Sequence, residues 1–384
     1  MKVCVLGLGY IGLPTALLIA ASGHKVLGFD INKKLVNQLK TGKINLNEKG
    51  IKILFKKARK NFKVVTKIEN SDAFIVCVPT PLNKNKKCNL KFVKKAAEDI
   101  SNVLSKGNLV VLESTVPPGT TRNIFKKILE KKGLKEGRDF FLSFVSEKAI
   151  PGNAIYEMQN NIRVIGVTNK KSGELTKKLY SSFVRGKLIQ TTLELAEISK
   201  LMENTYRDVN IALANEFKRI CDDLNIDVFK AIELANLHPR VNILKPGVGV
   251  GGYCLTKDPW FLLEKTKHGK LIKMSRLIND TQPKYVVEIV KKIIKRKGIK
   301  KPVIGLMGIS YKPNVSDIRE SPMIKIYNLL EKRGFEVLVT DPLIKKIDNI
   351  KITTKNEIIK KAHIIIDYYN IQLNKNLIKI NRAN

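Results

Sequence analysis

The residue types best suited to chemistry cluster around Cys254, in the run Pro246-Gly247-Val248-Gly249-Val250-Gly251-Gly252-Tyr253-Cys254-Leu255-Thr256-Lys257-Asp258-Pro259. Its glycines let a backbone turn sharply or approach a ligand closely. Lys257 and Asp258 put a cation and a potential base beside the sulfur, conditions that favour a thiolate nucleophile. A cysteine without such neighbours is more often buried and inert, and Cys4 and Cys77, in expected core strands, keep that plain reading. Lys200 and Asn204 lie four apart on an expected helix, so an ammonium and an amide share one face and could meet a developing oxyanion; a solvated helix face carries the same pattern.

A second constellation sits at the start of the chain. Gly7-Leu8-Gly9-Tyr10-Ile11-Gly12 follows a strand at Lys2–Leu6 and opens a helix, with Asp30 ending the next strand. Gly7 permits the tight turn, Gly9 admits a pyrophosphate to the backbone amides, and Gly12 lets the helix sit close on the sheet. Asp30 would accept from the adenosine ribose hydroxyls, which favours NAD over a 2′-phosphorylated cofactor. His24, His238, His268 and His363 show no metal-ligand spacing, so no metal is expected.

These groups need rigid elements to hold them. Short β-rich runs at Val3–Leu6, Lys25–Phe29, Phe62–Thr66, Ala73–Val78, Asn108–Leu112 and Phe140–Val145 alternate with amphipathic stretches, the pattern of a parallel sheet covered on both faces. Between Lys187 and His238 there is neither Gly nor Pro. Leu195, Ile198, Leu201, Thr205, Val209, Ala212, Glu216 and Ile220 recur there at helical steps, predicting one helix of roughly 30 residues, about 45 Å long, that connects domains and forms a dimer spine. Farther on, Val303–Leu306, a helix from Pro322 to Lys332 and Val337–Thr340 repeat the strand-helix-strand order. Gly23 to Asp30 and Gly334 to Asp341 share Gly, Val, Leu and Asp at identical offsets. The expected fold is α/β, two Rossmann-like doubly wound domains joined by a long central helix.

The 384 residues suffice for two or three domains, and 43% hydrophobic with 27% charged residues excludes a disordered tail protein. The net charge of +37 invites a nucleic-acid reading, but only 13 of the 71 basic residues are Arg and the lysines are dispersed. That is a poor profile for reading phosphates and base edges, so no nucleic-acid partner is expected. Five cysteines with no CxxC pair point to a reducing cytoplasm, and no run reaches the roughly 18 apolar residues of a membrane span. The apolar N-terminal run is explained by the dinucleotide turn rather than by a signal peptide.

Taken together, these features resemble the nucleotide-sugar 6-dehydrogenases, the UDP-glucose, GDP-mannose and UDP-N-acetylhexosamine dehydrogenase family. The likeness spans residues 1 to about 345. Its carriers are Gly7–Gly12 with Asp30, Val78–Pro81, Glu113–Thr120, Glu147–Ala154, Lys200–Asn215, His238–Asp258 and Tyr311–Pro313 through Pro322. The resemblance implies an NAD-binding domain at 1–186, a central helical dimerisation domain with the cysteine loop at 187–298, and a shortened UDP-sugar-binding Rossmann-like domain at 299–384. It also implies a four-electron oxidation of a UDP-sugar C6 alcohol through a thiohemiacetal and a thioester on Cys254. Lys200 and Asn204 would steady the oxyanion, Asp258 would assist Cys254 and water, and Glu147 and Thr115 would position water and substrate. Cofactor contacts would come from Gly7, Gly9, Tyr10, Ile11, Gly12, Asp30, Lys33, Thr80, Thr115, Lys257 and Arg319. Sugar-nucleotide contacts would come from Glu147, Lys200, Asn204, Asn242, Gly251, Lys312 and Arg240, the last reaching substrate held by the partner of a homodimer.

Within the family, Glu203–Ala212 and His238–Leu244 are most similar to UDP-N-acetyl-mannosamine dehydrogenases; UDP-N-acetylglucosamine and UDP-glucose are the alternative sugars. Two departures stand out. Tyr253 replaces the His that usually precedes the nucleophile in that subgroup, and Lys257-Asp258 resembles the pair of UDP-glucose dehydrogenases. After Ile364–Asp367, residues Tyr368–Asn384 lack the Asp-Gly-Arg sequence of the family, and Arg382 is in no such motif. Weaker UDP-sugar binding, or a catalytically impaired NAD-binding relative, is the expectation that follows.

Overall fold

A computed structural model describes residues 1–312 and 315–368. They form two compact units: residues 1–202 with 260–265, and 203–259 with those from 266 onward. No helix described is long and apolar enough to cross a membrane.

The first unit is built on eight strands, β1 (Lys2–Leu6), β2 (Lys25–Phe29), β3 (Phe62–Val65), β4 (Ala73–Val76), β5 (Leu109–Leu112), β6 (Phe141–Val145), β7 (Arg163–Val167) and β8 (Leu188–Thr192). Their order is β3-β2-β1-β4-β5-β6-β7-β8. The first six, 3-2-1-4-5-6, are the doubly wound dinucleotide order, whose ligand crevice opens where the order reverses between β1 and β4. Alternation along the strands explains the two covered faces. Val3, Val5, Ile75 and Val111 pack into one core, and Cys4, Leu6, Phe74, Val76 and Val110 into the other. The six expected strands are all present. β7 and β8 were not foreseen, and β7 departs from the all-parallel expectation by running antiparallel to β6.

The long helix spans Leu193–Asp223, 31 residues. The stripe read from sequence is buried only in its middle, at Leu201, Thr205 and Ala212: Leu195, Glu216 and Ile220 are exposed, while Glu197, Lys200, Asn204, Asp208 and Asn215, outside the stripe, are buried. A second long helix, Lys270–Lys297, carries Pro283 within it and was not anticipated.

In the second unit β9 (Val303–Met307) lies between β10 (Glu336–Thr340) and β11 (Ile364–Asp367), all parallel. The sequence echo is a structural repeat. Gly7 has φ +90° and donates to the Phe29 carbonyl at 2.8 Å; Gly308 has φ +88° and donates to the Thr340 carbonyl at 2.8 Å. Leu8 N–H donates to Asp30 Oδ2 at 2.8 Å, and Ile309 N–H to Asp341 Oδ2 at 2.9 Å. Each aspartate therefore fixes the turn that follows the first strand of its own sheet. The expectation about residues 369–384, Arg382 included, lies outside the described residues.

Candidate active site

Most of the residues expected to hold the cofactor gather at the carboxyl ends of β1, β2, β4 and β5 in the first unit, whereas Lys257 and Arg319 belong to the second. The three glycines do separate jobs. A Cβ at Gly7 would lie 2.6 Å from the Cys77 carbonyl oxygen, one at Gly12 would lie 1.8 Å from the Gly7 oxygen, and one at Gly9 would meet nothing within 4 Å. Gly7 and Gly12 are thus required by the fold, whereas the space beside Gly9 is open. We predict that Gly12→Ala destabilises the protein. Gly9→Val should leave the melting temperature near that of the parent but weaken NAD binding more than about tenfold; calorimetry and a fluorescence titration read the two effects.

Tyr10 and Ile11 lead into the helix Gly12–Ala21, whose first residues follow the open turn. Asp30 Oδ1 accepts from Asn32 N–H at 2.8 Å, and Lys33 starts the next helix, exposed. Thr80 is buried, its hydroxyl donating to the Thr115 carbonyl at 2.8 Å, which couples the loops after β4 and β5. An open amide turn, a carboxylate at the end of β2 and coupled loops beside the strand-order reversal suit a dinucleotide.

Two buried carboxylates that sequence reasoning gave no role hold this region. Glu197 accepts from Gly119 N–H at 2.5 Å, Thr121 N–H at 2.8 Å and the Thr121 hydroxyl at 2.5 Å, anchoring the loop that follows Thr115. Burial pushes its carboxyl up. Glu113 is the hub of a sealed network. It accepts from Arg163 Nη1 and Tyr180 OH, both at 3.1 Å, and from the Cys77 thiol at 3.1 Å. Burial raises the Glu113 carboxyl, with Arg163 opposing, and pushes the Cys77 thiol well up. Arg163 Nη2 also stands 3.8 Å from Glu147 Oε1, so Glu147 sits above a compensated buried cation.

In the second unit the cysteine loop is pinned at its root. Gly247 N–H donates to Asn215 Oδ1 at 2.8 Å and its carbonyl accepts from Gln282 Nε2 at 2.9 Å, so both long helices grip the same peptide. Gly251 and Gly252 then run against Tyr311, where added Cβ atoms would come within 2.8 and 2.7 Å of its side chain. Cys254 is exposed, and its carbonyl accepts from Lys257 N–H at 3.1 Å and Asp258 N–H at 2.9 Å. This turn closes the backbone of Lys257 and Asp258 onto that of Cys254. Asp258 is buried and its Oδ2 accepts from Asn204 Nδ2 at 2.6 Å. Lys257 Nζ lies 4.4 Å and Arg319 Cζ 5.2 Å from the centre of the Tyr253 ring, so the residue that departs from the subgroup pattern faces both expected phosphate and cofactor cations. Lys312 is half-buried, whereas Arg240 and Asn242 are exposed on the loop after the helix Val228–Ala235.

The geometry thus joins Asn204, Asp258, Lys257 and the Cys254 turn in one unit, and the glycine turn, Asp30, Thr80, Thr115 and Glu147 in the other. Lys200 is buried on the long helix, one turn before Asn204. Comparison with known proteins decides the family. Models of the UDP-glucose/GDP-mannose dehydrogenase family match in chain order: its NAD binding domain at residues 1–184, its central domain at 194–281 and its UDP binding domain at 305–371. The UDP-N-acetyl-D-mannosamine dehydrogenase of Methanocaldococcus jannaschii is 49% identical over 345 residues, covering 88% of this chain and 79% of that relative. The chain belongs to the UDP-glucose/GDP-mannose dehydrogenase family. A Campylobacter jejuni protein with the same name is 41% identical over 95% of this chain and 94% of its own length. The solved UDP-D-ManNAc dehydrogenase of Pyrococcus horikoshii superposes with a TM-score of 0.89 at 37% identity, covering 100% of this chain and 98% of that one. Membership of this family makes the chain an NAD-dependent dehydrogenase.

Proposed function

We propose that the chain oxidises the C6 alcohol of UDP-N-acetyl-D-mannosamine to the uronic acid, using two NAD per sugar. The observation that carries this reading is the Cys254 turn, an exposed thiol with Lys257 and Asp258 hydrogen-bonded back to its own carbonyl and Asn204 donating to Asp258. The names of the relatives support the choice of sugar.

NAD, when bound, accepts the hydride in each of the two oxidations. After the first, the Cys254 thiolate adds to C6 of the aldehyde, and the carbonyl electron pair moves onto oxygen. Lys200 Nζ and Asn204, whose amide has a second N–H to donate, steady that oxyanion. Loss of the second hydride from C6 leaves a thioester. Water, positioned by Glu147 and Thr115 and relieved of its proton with help from Asp258, attacks C6; the C–S bond breaks and the thiolate is restored. Two hydrides, four electrons in all, leave each sugar.

We also propose a homodimer. Tyr206, Leu213 and Ile220 along the long helix, and Leu224 just past its end, are exposed at steps of seven and four, with Leu234 and Leu237 beyond them, an apolar row suited to a second copy. The function is tested by mixing protein and NAD with UDP-N-acetyl-D-mannosamine, UDP-N-acetylglucosamine and UDP-glucose separately and counting NADH. Two NADH per UDP-N-acetyl-D-mannosamine are expected, with the other sugars at least about tenfold slower. A ratio of one, or turnover of another sugar alone, would sink the reading.

A further inference from the structure

The segment from Glu147 to Ala154 is held almost entirely by carboxylates. Ala149 N–H donates to Glu147 Oε1 at 2.7 Å, and Ile150 N–H to Glu157 Oε2 at 2.9 Å. Residue 151 is proline, which has no N–H, and Asn153 N–H donates to the Ile150 carbonyl at 3.1 Å. Two further amides, Gly152 and Ala154, both donate to one side chain about a hundred residues away. Glu48 Oε2 accepts from Gly152 N–H and Glu48 Oε1 from Ala154 N–H, each at 2.7 Å. Glu48 is buried, in the turn before the helix Ile51–Ala58.

That both oxygens are engaged matters. Gly152 sits at φ +93°, next to a proline, where the chain has no regular ladder to keep its course. A single carboxylate bridging the amides on either side of Asn153 fixes the spacing of those peptides. Through Pro151 and Ile150 it fixes the exit of the backbone from Glu147. The main chain is thus tied at both ends of the segment, by Glu48 at one and by Glu147 on Ala149 at the other.

We propose that Glu48 is a positioning residue for the oxidation: its bidentate grip on Gly152 and Ala154 sets the course of the Glu147–Ala154 segment and so the placement of Glu147 towards the sugar. This rests on the reading of that segment as a substrate element, and it assigns Glu48 no contact with substrate or cofactor. The hydrogen-bond chemistry makes the claim specific. A glutamine at position 48 is nearly isosteric but presents one acceptor and one N–H₂ donor to two N–H groups, so one amide must lose its partner. An aspartate keeps two acceptors on a shorter stem and reaches one amide better than two.

The test uses the full-length protein carrying Glu48→Gln or Glu48→Asp. Hydrogen exchange of the peptide containing Gly152 and Ala154 should accelerate in Glu48→Gln. The sugar kcat/KM should fall by about tenfold to a hundredfold. NAD affinity, governed by the Gly7–Gly12 turn, should stay within about twofold of the parent, with Glu48→Asp intermediate in the sugar parameters. A change in NAD affinity as large as the change in sugar kinetics would point to general loosening of the unit and overturn the proposal. So would unchanged exchange at Gly152 and Ala154, or lost protection with unaltered sugar kinetics. If the parent protein oxidises none of the three sugars, the functional reading fails and the positioning role falls with it, while the exchange measurement still shows whether the grip exists.

Discussion

Replacing Cys254 by serine is expected to lower uronate formation by about three orders of magnitude or more, because the change deletes the atom on which the thioester forms. NAD affinity should change little, since serine differs from cysteine by one atom and the glycine turn and Asp30 belong to the other unit. A parallel experiment isolates the sulfur chemically. Iodoacetamide near neutral pH should label Cys254, the exposed cysteine, and abolish turnover. Cys4, whose thiol burial pushes up to about 12, and Cys77, also pushed well up by burial, should react only after unfolding. Mass spectrometry of the labelled protein reads the site directly. A Cys254→Ser enzyme that makes uronate at the parental rate would refute the nucleophile assignment.

The largest effect on stability is expected at Arg276. Its Nη1 donates to Asp208 Oδ1 at 2.5 Å, with both side chains essentially inaccessible. Among the described residues Asp208 Oδ2 and Arg276 Nε have no hydrogen-bond partner. Burial lifts the Asp208 carboxyl above its ordinary range, with Arg276 pulling it back only in part. Such a pair contributes little net stability but is costly to break, because the surviving buried carboxylate keeps only the neutral Asn279 amide, at 2.9 Å, in place of a counter-charge. Arg276→Met should therefore cost about 3–5 kcal/mol in denaturant unfolding. The double change Asp208→Leu with Arg276→Met should recover most of that loss. Asn279 keeps its bond to the Asp208 carbonyl at 2.9 Å in either case. A double variant no more stable than Arg276→Met would contradict the argument.

Much of the fold was legible because hydrophobic periodicity reports burial wherever the buried face is apolar. β1 to β6 are such cases, and the glycine turn with Asp30 sits where its spacing placed it. Periodicity went astray where buried positions are polar. Along Leu193–Asp223 the apolar stripe led to Leu195 and Ile220, which face solvent, while the inward face carries Glu197, Asn204, Asp208 and Asn215. Read singly, each looks like a solvated charge or amide. An acid at 197, four residues from both Leu193 and Leu201, was the available signal that this face holds loops rather than a core. Pro283 hid the second long helix, since a proline ordinarily ends such an element. β8, five residues of which Ile189, Gln190 and Thr192 are exposed, lacks the apolar run that reveals a core strand. Glu48, Glu113 and Arg163 gain their meaning only from partners 16 to 106 residues away.

The polar inner face of the long helix has a consequence for how this gene can change. Asn204 meets Asp258, Asp208 meets Arg276, Asn215 meets Gly247 and Arg219 meets Gln282, four appointments kept by one rod. An α-helix advances about 100° per residue. Inserting a single alanine between Asp208 and Asn215 would leave composition and helix propensity almost unaltered. It would nevertheless swing Asn215 and Arg219 out of phase with Gly247 and Gln282, so frame-preserving indels there should disrupt the fold while substitutions on the outer face are borne.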